Sequence, residues 1–240
     1  MQKSIAALKQ HHANADREAF FHELLDVAPG LEGYVRNRLG NAEHNGLIPS
    51  GLYTTDDILD DVFLYAYEHF SDMAEDESEL RVMLFQLAND RLDAIIREEA
   101  WHHDALSLEA VLEDELRQLN EIPQMTTDAD GDIVMVEDLD DAEIEPPEPR
   151  ALLLEDSFED EIIGQLGLEG AVIRGNRAME QLLARLYTEL PAQSRILFDL
   201  WTRGKLSIDE IAGVRGLSVR HVQDVLNRIQ RRFESLIAHS

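Results

Sequence analysis

The sequence contains no cysteine. This absence excludes disulfides, thiolate zinc sites and cysteine nucleophiles, and it fits a reducing compartment. No apolar run approaches the ~18 residues that a membrane span requires, and the first twenty residues lack the apolar segment of a signal peptide. The sequence therefore predicts a soluble cytoplasmic protein that has no membrane partner.

Motifs of catalysis and cofactor binding are also missing. There is no Walker loop, no glycine-rich nucleotide fingerprint and no nucleophile elbow. The segment 128–132 (DADGD) is similar to a calcium loop, but its glycine is fourth instead of sixth, and Leu139 stands where a bidentate Glu belongs. His11–His12 and His102–His103 are adjacent pairs that point apart on a helix, which disfavours a metal site. We expect no catalytic residue, no cofactor and no metal, and hence no enzyme.

Basic residues are few and unevenly distributed. The chain has 21 Lys and Arg against 49 Asp and Glu, a net charge of −28, which at first argues against binding of a phosphate backbone. Met1–His103 carries a net charge of −12 and Asp104–Gly170 carries −20, whereas Ala171–Ser240 carries +4. The last part of the chain is therefore the part that favours a polyanionic partner.

Apolar periodicity and capping residues predict an all-α protein. We expect helices over Glu18–Leu39 with a break near Pro29–Gly30, Thr55–Phe70, Ser78–Glu99, Ala171–Glu189 and Pro191–Leu200, followed by two short helices around Gly216. The acidic, polar segment Glu121–Pro149 favours a linker, in which Ile133–Val136 is a candidate for a brief strand. This pattern predicts two helical domains, 1–103 and 171–240, joined by a long acidic linker, 104–170.

Leu190–Ile237 carries the strongest local signals. Ser207 and Glu210 have the spacing of a capping box, Gly216 permits a left-handed turn between two helices, and Ser218 can cap the second helix. The second helix has an apolar stripe made of Val222, Leu226, Ile229, Phe233 and Ile237. Its open side carries Arg220, His221, Asp224, Asn227, Arg228 and Arg231. This pattern is typical of a helix-turn-helix whose second helix enters a major groove; the alternative is a helical cap with solvated arginines.

The same stretch resembles the promoter minus-35-binding domain of RNA polymerase sigma factors of the extracytoplasmic-function type. The matching motifs are Leu190-Pro191, Leu206-Ser207-Ile208-Asp209-Glu210-Ile211-Ala212 and Leu217-Ser218-Val219-Arg220-His221-Val222. The resemblance implies a minus-35-like DNA set of Ser218, Arg220, His221, Gln223, Asp224, Asn227, Arg228 and Arg231. The chain differs from the family at Gln223 and Val225, where members often carry Lys or Arg.

An acidic helix is expected upstream, over Thr55–Phe70. Its outward side resembles the sigma-factor helix that docks on the β′ clamp helices of polymerase. The resemblance implies a polymerase-binding set of Asp57, Asp60, Asp61, Leu64 and Glu68. The alternative is a solvated acidic face.

The helix expected over Ser78–Glu99 resembles the one with which sigma factors open and read the minus-10 element. It implies a minus-10-like DNA set of Gln86, Asn89, Asp90 and Arg97. The chain departs from the family in having Met83 in place of Trp, and Glu98 and Glu99 in place of basic residues. Single-stranded DNA requires stacking aromatics and positive charge, so a solvated helix face is an equal alternative.

These resemblances together imply a sigma factor that directs RNA polymerase to specific promoters. The resemblance implies as partners core polymerase, through its β′ clamp helices and β flap, promoter DNA, and an anti-sigma factor as a further candidate. Two alternatives stay open: a degenerate sigma-like co-regulator that binds polymerase without opening DNA, and a stand-alone helix-turn-helix regulator. The acidic segment is either a DNA mimic that occupies basic surfaces or a solubilising spacer.

Overall fold

The structure is a computed structural model that describes residues 2–70, 76–99, 112, 115–116, 125–127, 133–135, 154, 156–168, 173 and 176–237. Within these residues the chain forms ten helices and one pair of three-residue strands. The predicted all-α class is therefore confirmed. None of the described helices is long and apolar enough to cross a membrane.

The described helices range from 8 residues in the shortest to 23 in the longest. In order the helices and strands are α1 (Gln2–Ala13), α2 (Arg17–Val27), α3 (Leu31–His44), α4 (Thr55–Glu68), α5 (Glu77–Glu99), β1 (Met125–Thr127), β2 (Ile133–Met135), α6 (Asp156–Leu166), α7 (Arg177–Thr188), α8 (Ala192–Thr202), α9 (Ile208–Arg215) and α10 (Val219–Ile237). The two strands pair antiparallel, with Met125 opposite Met135.

Local capping signals set several of these boundaries. Thr54 and Asp57 form a reciprocal capping box at the start of α4, and Ser207 and Glu210 form another at the start of α9. Each box satisfies backbone N–H groups that have no partner inside the helix. Gly216 ends α9 with φ of 64°, the left-handed conformation that the sequence predicts for it.

Two other helix boundaries can be compared with the sequence prediction: the break near Pro29–Gly30 and the start of α5. The break near Pro29–Gly30 is present, because α2 ends at Val27 and α3 begins at Leu31. The start of α5 differs from the prediction: Asp76, and not Ser78, accepts a hydrogen bond from the backbone N–H three residues on, at 2.9 Å. Asp and Ser are both good caps, so composition alone does not separate them.

By its internal contacts the chain divides into two compact units. The first comprises Met1–Leu106 with Asp199–Val222, and the second comprises Ser107–Phe198 with Gln223–Ser240. Both divisions near the end of the chain fall inside helices, in α8 and in α10. The sequence-based division is a different statement, because it says which parts fold independently. That division, into domains 1–103 and 171–240 with a linker over 104–170, stays a prediction.

The core of the first unit is built from apolar faces of α1 to α5 and from α9. Phe20 is fully buried and lies edge-on to Phe70 and Tyr67, each at a centroid distance of 5.1 Å. Phe85 of α5 and Ile211 of α9 are also fully buried. Burial of large side chains from distant parts of the chain supplies most of the stabilisation of such a unit.

Gly30 and Gly204 allow a very close backbone approach within the first unit. A Cβ atom on Gly30 would lie 2.3 Å from the carbonyl oxygen of Arg203, and one on Gly204 would lie 2.6 Å from that of Leu200 and 3.0 Å from the ring of Phe85. Neither position has room for a side chain. The loop between α8 and α9 is therefore seated directly on the start of α3.

The core of the second unit is aromatic. Phe158 of α6 lies edge-on to Tyr187 at 5.0 Å, Tyr187 lies 6.3 Å from Phe198, and Phe198 stacks on Phe233 at 5.7 Å. Helix α6 lies inside the segment interpreted as an acidic linker, and the sequence analysis did not predict it. Its apolar positions follow helical spacing between the acidic residues.

Glu115, also from that acidic segment, holds the start of α8. Its carboxylate accepts hydrogen bonds from the backbone N–H groups of Gln193 and Ser194, at 3.0 and 2.7 Å, and from the Ser194 hydroxyl at 2.7 Å. A carboxylate at a helix N-terminus satisfies unpaired donors and favours the helix dipole. Part of the acidic segment thus packs within the second unit.

Replacing Gly30 by Ala tests the close backbone approach. We expect Gly30→Ala to lower the free energy of unfolding by about 3 kcal/mol, because the new methyl group overlaps the backbone of Arg203 and Gly204. The measurement is urea unfolding followed by circular dichroism. The matched control is Gly40→Ala in the exposed interior of α3, where a Cβ meets nothing within 4 Å; it should gain about 0.5–1 kcal/mol. Equal effects of the two changes would contradict the contact.

Candidate functional site

The outward side of α4 carries an acidic stripe, defined here as Asp57, Asp60, Asp61, Leu64 and Glu68. All five side chains are exposed. The opposite side of the same helix is buried and consists of Ile58, Leu59, Val62, Phe63 and Ala66. The sequence-predicted polymerase-binding set therefore shares one solvent-facing surface. Asp57 also takes part in the capping box, where hydrogen bonds from Thr54 lower the pKa of its carboxyl group.

Apolar surface is exposed within and beside the acidic stripe. Leu64 is 39% exposed and Tyr65 is 47% exposed, and the Tyr65 ring stacks on His69 at 4.1 Å. A groove of about 390 Å³ lies beside them and is lined by Asp61, Val62, Leu64, Tyr65, Glu68, Leu87 and Arg91. Exposed apolar patches rimmed by charge mark interaction surfaces. The sequence analysis did not single out Tyr65, whose only local signal is its position next to Leu64.

An ion pair joins the acidic stripe to α5. The Nε of Arg91 lies 2.8 Å from the Oδ2 of Asp61, and both side chains are about half exposed. Exposed pairs of this kind contribute little to stability, roughly 0–1 kcal/mol. Asp61 can therefore exchange Arg91 for a basic group of a partner at small cost.

A buried polar cluster lies inside the first unit, defined here as Tyr34, Arg38, Asn89, Asp93 and Arg215. Its centre is the amide oxygen of Asn89, which accepts from the Tyr34 hydroxyl at 2.6 Å, from Arg38 at 3.3 Å and from Arg215 at 3.2 Å. The Asn89 amide nitrogen donates to the carbonyl of Phe85 at 2.8 Å. Asn89 is 1% exposed and Arg38 is 5% exposed.

Asp93 supplies the negative charge of this cluster. Its carboxylate lies 2.8 Å from Arg38 and 3.3 Å from Arg215. Two guanidinium groups in one buried region require such a partner, because an unpaired buried charge is costly. Burial raises the pKa of the Tyr34 hydroxyl, so this group stays neutral and remains a hydrogen-bond donor to Asn89 at physiological pH.

The predicted minus-10-like set is divided by the structure. Asp90 and Arg97 are exposed, whereas Asn89 is buried in the polar cluster. The amide of Gln86 donates to the backbone carbonyl of Gly213 at 2.8 Å. Asn89 is thus withdrawn from solvent, whereas Gln86 stays partly exposed and makes a hydrogen bond to α9. The sequence pattern of α5 alone did not indicate either contact.

Further contacts between α5 and α9 surround Gln86. The guanidinium of Arg81 lies 2.5 Å from Glu210, and the Ser78 hydroxyl donates to the same carboxylate at 3.3 Å. Hydrogen bonds from Ser207 and the charge of Arg81 outweigh partial burial and lower the pKa of Glu210. We call the whole set of contacts from Ser78 to Asp93 with residues 210–215 the α5–α9 interface.

The predicted minus-35-like set lies along α10 and the residue before it. Ser218 caps the helix by accepting from the backbone N–H of His221 at 3.2 Å. Arg220, Gln223, Asp224, Asn227 and Arg231 are exposed with Ser218, whereas His221 and Arg228 are half-buried. Within the second unit, Arg228 donates to the carbonyl of Leu116 at 3.2 Å, an engagement that the sequence did not predict.

Val225 belongs to the protein core. It is fully buried, like Val222, Ile229 and Phe233, whereas Gln223 is exposed. The family resemblance does not distinguish Gln223 from Val225, because family members often carry Lys or Arg at both positions. The structure separates them, because helical periodicity turns position 225 toward the buried stripe. Only Gln223 is available to a partner.

In the part of the chain that the structure describes, no group of three His, Asp or Glu side chains is arranged to hold a metal ion. Comparison of the chain with protein-family models, with curated proteins and with solved structures gave no match. The surfaces described above are the acidic stripe with its apolar neighbours, the α5–α9 interface and the exposed side of α10.

Removing the charge of Asp93 tests the buried polar cluster. We expect Asp93→Asn to lower the free energy of unfolding by about 2 kcal/mol, less than the ~3–5 kcal/mol of a fully buried pair, because Asp93 is 34% exposed. Thermal and urea unfolding measure this effect. The matched control is Asp90→Asn, an exposed position on the same helix, which should change stability by no more than ~0.5 kcal/mol. An effect as small as that of the control would argue against the cluster.

Proposed function

We propose that this protein binds core RNA polymerase through the acidic stripe and directs it to specific promoters, as a sigma factor does. The observation that carries the proposal is the stripe itself. Four carboxylates and one leucine, to which the sigma-factor resemblance gives the role of polymerase contact, are all exposed on one side of α4. Leu64 and Tyr65 add exposed apolar surface beside these carboxylates. A partner that covers this surface would remove it from water.

The chemistry of this surface specifies the kind of partner. Carboxylates around an exposed leucine suit a partner helix that presents arginines around an apolar side chain. The groove beside Leu64 and Leu87 gives such a side chain a place to insert. Charge complementarity would speed association and select the partner, and the apolar contact would slow dissociation.

We further propose that α9 and α10 form a helix-turn-helix that contacts upstream promoter DNA. The left-handed Gly216, the cap at Ser218 and the exposed Arg220 and Gln223 support this. The N-terminal turn of a recognition helix is the part that reaches base edges. In this proposal the chain comprises two helical domains, and the acidic segment 104–170 lies between them in sequence, with Glu115 and α6 packed in the second unit.

A second candidate function is a co-regulator that occupies polymerase without opening DNA. The engagement of Gln86 by Gly213 and the burial of Asn89 favour it. In this arrangement the Gln86 amide donates to the chain's own backbone and the Asn89 side chain is buried, so an extruded base would have to compete with contacts that already exist. The two candidates share the acidic stripe and differ in whether α5 ever becomes accessible to nucleic acid.

Binding of core polymerase is tested by reversing a charge of the acidic stripe. We expect Asp60→Arg to weaken binding at least about tenfold, because the new arginine would repel a basic partner. Leu64→Ala should weaken it about threefold to tenfold, because the shorter side chain buries less apolar surface against the partner. The measurement is co-purification of the tagged full-length chain with core polymerase, followed by titration with labelled core.

The matched control is Glu18→Arg, which makes the same change of charge at an exposed position of α2. It should bind core polymerase as the unmodified chain does. Weakened binding in the control as well would indicate a general charge effect. Undiminished binding by Asp60→Arg would overturn the proposal for this surface.

Substitutions at Gln223 and Val225 test the DNA-facing side of α10. We expect Gln223→Lys to tighten binding to mixed-sequence duplex DNA and to steepen its salt dependence by about one unit, because one more phosphate is neutralised. Val225→Lys should instead unfold the helix-turn-helix, because position 225 is fully buried. Fluorescence anisotropy across a salt series and circular dichroism measure the two effects. A folded Val225→Lys protein with tighter DNA binding would contradict this orientation of α10.

A further inference from the structure

The face of α5 that the proposed function assigns to promoter DNA is covered by a segment of the same chain. Gln86 donates to Gly213, Arg81 pairs with Glu210, and Arg215 reaches both Asn89 and Asp93. These contacts extend over about three turns of α5. All of them lie inside the first unit, which includes Asp199–Val222.

The fit of this segment is specific and not a loose association. A Cβ on Gly213 would lie 3.3 Å from a methyl carbon of Val82, so α9 approaches α5 closely at that point. Gly204 and Gly30 permit the backbone contacts described above. Ile211 is fully buried and Ala212 is nearly so. A segment seated with such complementarity excludes any other molecule from the same face.

Polar links make up much of the α5–α9 interface. Arg81 and Asp93 are each about one-third exposed, whereas their partners Glu210 and Arg215 are largely buried, so water and salt reach each ion pair from one side only. The loop that leads into α9 also contains Lys205 with φ of 53°, a left-handed conformation that is unfavourable for a non-glycine residue. Water can replace the polar links, and release of the segment would relieve the strained residue.

We propose that Asp199–Val222 is an internal cover of α5, and that it must leave α5 before Gln86 and the helix surface around it can contact nucleic acid. This inference rests on the proposed function, because that function assigns the covered face to DNA. It makes α9 and DNA mutually exclusive occupants of one surface. The covered form is the resting state, and a partner that binds the uncovered form better shifts the population toward it.

A reversible covalent lock tests the cover, since the chain has no cysteine of its own. In the full-length variant Val82→Cys with Gly213→Cys, the 3.3 Å between the position of a Cβ at 213 and Val82 Cγ1 is close to the roughly 3 Å between a Cβ and its partner's sulfur in a disulfide. Oxidation should close the cover and reduction should free it. The two single-cysteine variants are the controls for oxidation and for the substitutions themselves.

The lock is examined in complex with core polymerase, with a fluorescein-labelled single-stranded DNA of mixed sequence as the probe. We expect the oxidised and reduced proteins to bind core equally, and the oxidised complex to bind the probe at least about tenfold more weakly than the reduced one, because the locked state has no accessible α5 face. Hydrogen exchange should show α9 losing protection when the reduced complex binds the probe.

The outcomes separate the cover from the function on which it depends. Equal binding of the probe by the oxidised and reduced complexes, with α9 protected in both, would overturn the cover and leave the polymerase assignment intact. Failure of both forms to bind core polymerase would overturn the proposed function, and the cover's role with it. If neither the reduced nor the oxidised complex binds the probe while α9 stays protected from exchange, the segment never leaves α5. That outcome contradicts the proposed release and supports the co-regulator function.

A charge reversal provides a second test that needs no disulfide. Arg81→Glu places a carboxylate against Glu210 and should favour the uncovered form, so we expect tighter binding of the probe by the core complex, by about threefold to tenfold. Arg36→Glu is the matched control, because it breaks an exposed ion pair with Glu32 on α3, away from the interface. Unchanged binding by Arg81→Glu, or an equal gain in the control, would argue against the cover.

Discussion

The first unit depends on one requirement, that two buried guanidinium groups find partners. Arg38 from α3 and Arg215 from the end of α9 converge on Asn89 and Asp93 of α5. Neither arginine could be buried alone, because the desolvation of a charge outweighs the packing of its stem. Satisfying both fixes three helices at once, and the glycine contacts of the α8–α9 loop then follow from where α9 must lie.

The same requirement explains the contrast between α4 and α5. Helix α4 is held by apolar contacts on one side only, so its acidic side is left to solvent or to a partner. Helix α5 has an apolar side as well, but a second side of it also makes contacts, with the polar cluster and with Gly213 and Glu210. The acidic side of α4 is therefore exposed as it stands, whereas this side of α5 is occupied by the chain itself.

Sequence reasoning succeeded where the determining interactions are local. The capping boxes at Thr54 and Ser207 and the left-handed Gly216 depend on residues within four positions of one another. It could not predict the burial of Asn89, because an asparagine on a helix face is equally compatible with a solvated and a buried position. The partner that distinguishes the two, Arg215, is 126 positions away in the sequence. Sequence reasoning also missed α6, because the acidic residues around Phe158 and Ile162 make that segment resemble a solvated linker by composition.

The link between Arg215 and Asn89 has a consequence for biosynthesis. When the ribosome has made residues 1–106, the chain still lacks the segment that completes the first unit. At translation rates of about 5–20 residues per second, residue 222 follows roughly 6 to 23 s later. During that interval the nascent chain holds Arg38, Asn89 and the apolar side of α5 without their final neighbours. The first unit therefore cannot complete its core until the chain has been translated as far as residue 222.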